Sequence, residues 1–115
     1  MIKVIHNIKC GLEGIKNWIF VIWKDKQWDY YYFLKVILHK LDLMIKFREA
    51  KRHCQYVGDE KDLETMKMAR DAIKRLIDDN YCFVYTDFNE ADKAQARDMD
   101  IAFDTIKDNV FKWWD

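Results

Sequence analysis

The sequence predicts an all-α fold, a compact bundle of about four helices in a single domain spanning 1–115, and three observations carry this. The chain has no proline, and Gly11, Gly14 and Gly58 are its only glycines, so little interrupts helical backbone. It is rich in Lys, Asp, Leu, Ile and Met, a composition that favours long helices. Apolar residues also recur at helical spacing through most of its length.

Taken in order, Val4, Ile8, Gly11, Leu12, Ile15 and Ile19 give a first helix over about 2–18 one apolar face. The apolar run Trp18–Trp23 reads equally as the end of that helix or as a buried extended segment. A second helix is expected from about Trp28 to Gln55, capped by Asp25 or a neighbour. Tyr30, Leu34, Ile37, Leu38, Leu41, Met44 and Ile45 lie along one stripe of it, and Tyr32, Val36, Leu43 and Phe47 along nearly the opposite one. A helix apolar on two opposed faces is either sandwiched in the middle of a domain or shared with another chain. The expectation is therefore a long central second helix.

Gly58 then suits a helix C-cap and Asp59 an N-cap, with Glu60 and Asp62 complementing the dipole of a third helix that runs to about Asp79. Its broad apolar face carries Leu63, Met66, Ala69, Ala72, Ile73, Leu76 and Ile77. Residues 80–87 read as a connector with some strand character. Asp87 or Asn89 caps a fourth helix over about 89–113, whose apolar face includes Met99, Ala102, Phe103, Ile106, Val110, Trp113 and Trp114.

Composition excludes several classes of protein. Three cysteines, Cys10, Cys54 and Cys82, without CxxC spacing argue against a disulfide framework and fit a reducing cytosol. Lysines and a histidine interrupt the first residues, so they do not read as a signal peptide, and the longest apolar run, Trp18–Trp23, is too short to span a membrane. The expected location is cytoplasmic. Net charge is zero but uneven: residues 1–58 hold eleven Lys/Arg against five Asp/Glu, and residues 59–115 hold nine against fifteen. Attraction between the two halves within one fold is the plainer reading of this asymmetry. A basic face for nucleic acid, or an acidic face for a basic partner, is the functional one.

Catalytic and metal motifs are absent. There is no serine, no phosphate-cradling glycine loop and no nucleophile elbow. His53 and Cys54 are adjacent, so on a helix they point apart, and neither zinc-finger nor His-Glu-x-x-His spacing occurs. No metal and no cofactor is expected, and the reading is non-enzymatic. A Cys–His pair assembled by the fold would be the exception.

The segment from Trp23 to Phe33 concentrates Trp23, Asp25, Trp28, Asp29, Tyr31 and Tyr32 in a short stretch. These rings and carboxylates either cap a helix start and seal one end of the domain, or form a recognition patch of the residue types enriched in binding hot spots. Together with Phe47 on the second stripe, they are the candidate partner-binding residues. Phe47 and its stripe would serve a homodimer through the second helix. The alternative function is a nucleotide- or nucleic-acid-sequestering module using Arg48, Lys51 and Arg52, with Arg48 and Arg52 one turn apart as a phosphate clamp.

Ile15, Asn17, Trp18, Ile22, Trp23, Asp25, Trp28, Asp29 and Tyr30 form an I-x-N-W run followed by W-x-D-x-x-W-D-Y. In this the first half of the chain resembles a group of small uncharacterised proteins encoded by tailed bacteriophages. Phe20-Val21 departs from the pattern, where many relatives carry a proline. The resemblance implies a phage origin, a host or phage protein as partner, and host-directed roles that include inhibition of defence systems such as CRISPR effectors.

Overall fold

The computed structural model describes residues 2–50 and 58–113, and within them the chain is all-helical with no strand. Four long helices are α1 (Ile2–Lys24), α2 (Tyr30–Glu49), α3 (Asp59–Asp78) and α5 (Phe88–Asn109). The single turn α4 (Tyr81–Val84) and a 3₁₀ turn at Val110–Lys112 complete them.

Local chemistry sets most boundaries. α1 continues through Trp18–Trp23 to Lys24, so that apolar run is helix and not an extended segment. Asp29, with extended backbone, caps α2 by accepting the Tyr31 N–H at 3.0 Å. α2 ends at Glu49 with Ala50 as its C-cap, and residues 51–55 of its expected continuation to Gln55 lie outside those described. Gly58 starts α3 instead of closing α2. Its φ of 90° is open to glycine at little cost, and its carbonyl accepts the Asp62 N–H at 3.0 Å. Asp79 closes α3 in the left-handed region, its N–H donating to the Arg75 carbonyl at 3.0 Å. The connector read as strand-like forms the turn α4, because the Val84 and Tyr85 N–H groups donate back to Asn80 and Tyr81. Asp87 caps α5 through the Asn89 N–H.

The core is built by α2, α3 and α5, with α3 between the other two. The middle position is therefore α3's and not α2's. Met66, Ala69, Ala72 and Ile73 on α3 are fully buried, and they meet Leu34, Leu41 and Ile45 of α2 and Ala91, Ala94 and Ala102 of α5. The apolar face expected of α3 is the one it buries. Alanines at these positions let helix backbones approach closely. Two polar contacts fix the ends. Arg48 in the last turn of α2 pairs with Asp59 in the first turn of α3 at 2.7 Å. Trp113, buried beyond α5, donates its Nε1–H to Thr65 Oγ1 of α3 at 3.0 Å.

α1 stands apart. None of its residues is buried, and among the described residues it meets the other helices mainly through α2. The radius of gyration is 17.0 Å, whereas a compact chain of this length scales to about 13 Å. Principal extents of 61 × 38 × 20 Å likewise describe an elongated molecule.

Candidate interaction surface

The face that α1 turns toward α2 is not its apolar one. Gly14, Asn17, Trp18 and Val21 lie on the α2 side. There the His39 Nε2–H donates to the Asn17 carbonyl at 2.6 Å, and the His39 ring meets Trp18 edge-on at 4.6 Å. Gly14 has nothing within 4 Å of where a Cβ would sit, so α1 and α2 are not in tight contact at that point. A groove of about 820 Å³ runs between them, with Trp18, Leu43, Met44 and Phe47 in its walls. About 150° round the helix, by 100° per residue, lies the apolar stripe. Ile5, Ile8, Leu12, Ile15, Ile19 and Ile22 are each between 49% and 69% exposed. An amphipathic helix ordinarily buries such a stripe against its own core. Here the more polar side is inward and the isoleucines face out.

The aromatic segment joining α1 to α2 extends this exposed surface. Trp23 and Trp28 are 86% and 83% exposed, so they do not seal the core. Asp25 is exposed, whereas Asp29 is committed to capping α2. Tyr31 and Tyr32 are half-buried and meet edge-to-face at 5.3 Å. Lys26 lies 6.0 Å from the Trp28 ring and Lys35 4.9 Å from the Tyr31 ring, within cation–π range. The second stripe of α2 is divided: Val36 is exposed, while Tyr32, Leu43 and Phe47 are half-buried on the α1 side.

A second concavity, about 440 Å³, opens where α3, α4 and α5 meet. Asp98 on α5 sits in its wall, mostly buried. Its Oδ1 accepts from Arg75 Nε at 3.0 Å, and its Oδ2 accepts the Tyr81 hydroxyl at 2.6 Å. Burial alone would raise the Asp98 carboxyl, but hydrogen bonds from Arg75 and Tyr81 and the Arg75 charge outweigh it and hold it below the usual carboxylate value. Burial, then the hydrogen bond to Asp98, pushes the Tyr81 phenol above its ordinary value. The hydrogen bond to Asp98 raises Arg75. With both carboxylate oxygens engaged, the cluster ties α3, α4 and α5 together.

Arg48, one of the expected phosphate-clamp residues, has its side chain 5% exposed and paired with Asp59. Lys51 and Arg52, with His53 and Cys54, lie outside the described residues. On α1 the Cys10 Sγ comes within 3.6 Å of His6 Nε2, one turn away, on the exposed helix surface. That i, i+4 spacing was visible in the sequence. No group of three or more metal-ligating side chains occurs among the described residues, and none of their helices is long and apolar enough to cross a membrane. No protein family, no curated protein and no solved structure matches the chain.

Proposed function

We propose that this protein works without catalysis, by binding another protein through the outward face of α1. One observation carries the reading: a helix of 23 residues buries none of them and directs its isoleucine row away from its own core. Contiguous exposed apolar surface of this kind marks interaction sites. Trp23 and Trp28 add exposed anchors of the type that dominate binding energy, continuous with the end of the row. With the resemblance to phage proteins as its support, the proposed target is a host or phage component, a host-defence protein such as a CRISPR effector included, met in the host cytosol. The nucleic-acid alternative is weaker, because Arg48 is already engaged by Asp59.

A photo-crosslinking residue at Leu12, in protein expressed in a bacterial host, tests this. The expected result is one discrete adduct with a second protein chain, absent when Ile15→Lys is introduced and absent when the crosslinker sits at Lys74 on α3. Crosslinking only to residues of α2 or α3 within the same chain would mean that α1 folds over its own core, and would overturn the reading.

A further inference from the structure

We infer that the occupant of the α1 face is further copies of this chain, three helices in parallel forming one short coiled coil. The inference rests on the proposed binding role of α1 and gives its partner on that face as copies of this chain in place of a host protein. Ile5, Ile8, Leu12, Ile15, Ile19 and Ile22 are separated by three, four, three, four and three residues. These are six consecutive a and d positions of a heptad, without a polar interruption. The seam matches a copy of itself.

Strand number follows from side-chain shape. The d positions are Ile8, Ile15 and Ile22, and the a positions are Ile5, Leu12 and Ile19. β-branched residues at d fit poorly into the two-stranded packing geometry, and isoleucine at both a and d shifts the preference to three or four strands, of which three is the assignment the mass tests. Direction follows from charge. Lys9 and Lys16 flank the seam at e positions. In an antiparallel pairing e faces e, which sets Lys9 against Lys16 of the next chain. In a parallel one e faces g, where Val4, Gly11 and Trp18 stand, so no lysine meets a lysine. Geometry permits the assembly, because α2 meets α1 on the side of Gly14, Asn17 and Val21, away from the seam. The α2, α3 and α5 core of each copy therefore lies outside the three-helix seam.

Light scattering on the full chain over a range of concentrations is the test. The expected mass is three times 14.1 kDa, falling to one chain for Ile15→Lys with the helical circular dichroism of the core retained. Replacing Ile8, Ile15 and Ile22 together by leucine should lower the mass to two chains, since leucine at d favours dimers. A wild-type dimer, or a trimer lost with Phe47→Glu but indifferent to Ile15→Lys, would overturn the assignment. A wild-type monomer would also overturn it, and radical footprinting of residues 4–22 then separates the two ideas. Rapid modification of Leu12 and Ile15 would leave α1 available to a foreign protein. Protection that arises only with phosphatidylglycerol vesicles would point to lipid. Protection in the free monomer would remove both this inference and the binding role.

Discussion

At the scale of single residues, Asp98 is the position where chemistry and stability are most closely tied. It is mostly buried and accepts from both Arg75 and Tyr81. Asp98→Ala would strand a buried phenol and an arginine, a loss of about 1.5–3 kcal/mol from hydrogen bonds involving a charged group. Half the Arg75 side chain meets solvent, which places the value toward the lower end of that range. The pH dependence has a definite sign. A carboxyl held below its usual value contributes stability that is fully present above about pH 4 and is lost as pH falls through the lowered value. The gap in urea midpoint between wild type and Asp98→Asn should therefore stay constant near neutrality and narrow in acid. Tyr81, shifted upward, acts at the other end: its contribution is intact below about pH 10 and is lost as pH rises. Tyr81→Phe should remove that alkaline loss. Gly58 is the other sensitive residue. At φ 90° a Cβ is strained even though space is open around it, so Gly58→Ala should cost about 1 kcal/mol, measurable as a fall in Tm.

Helices differ sharply in what they contribute. α3 buries its broad apolar face on both neighbours, and Ile73 is fully enclosed. Ile73→Ala should cost about 2–5 kcal/mol by transfer and cavity terms. Ile15→Ala on α1, measured at concentrations where the chain is monomeric, should change stability by no more than about 0.5 kcal/mol, since the side chain leaves no core contact behind. Paired urea titrations of the two variants check this contrast; a loss at Ile15 equal to that at Ile73 would place α1 in the core. α2 shows how far a two-stripe pattern reads: it lies between α1 and α3, but the well-packed middle of the core is α3's. The two apolar stripes of α2 do face two different neighbours, α3 on one side and α1 on the other. The α1 side, however, is an open groove flanked by half-buried Leu43 and Phe47. Two apolar stripes specify two contacts without saying that either is tight.

The whole molecule is longer than its residue count implies because one helix in four lies outside the core. Small-angle scattering of monomeric Ile15→Lys should give a radius near the 17.0 Å of the structure and not the about 13 Å of a compact chain. A value at the compact end would mean that α1 has swung over the core. An ion pair links the two unevenly charged halves. The Arg48–Asp59 pair joins a basic-half residue to an acidic-half one, across the connection between α2 and α3. Most of the remaining charge stays on solvated surface, where exposed pairs such as Lys107–Asp104 at 3.8 Å contribute little.

The sequence by itself determined the all-helical class, a side-chain cap for α2 within the Asp25–Asp29 segment and for α5 at Asp87 or Asn89, a break at Gly58 and the buried face of α3. That Asp29 is the α2 cap and that Gly58, not Asp59, precedes α3 came from the structure. Each of these depends on residues within a few positions of one another: a carboxylate two residues before the N–H it accepts, a glycine where φ is positive, or small and aliphatic side chains at helical period. Only the tertiary structure decided which helix lies in the middle, that Asp98 meets Arg75 and Tyr81, and that α1 turns its isoleucines outward. Those depend on packing between segments far apart in the chain. Periodicity marks an apolar face but not what covers it, because burial against the same chain and burial against another chain impose the same pattern on a helix.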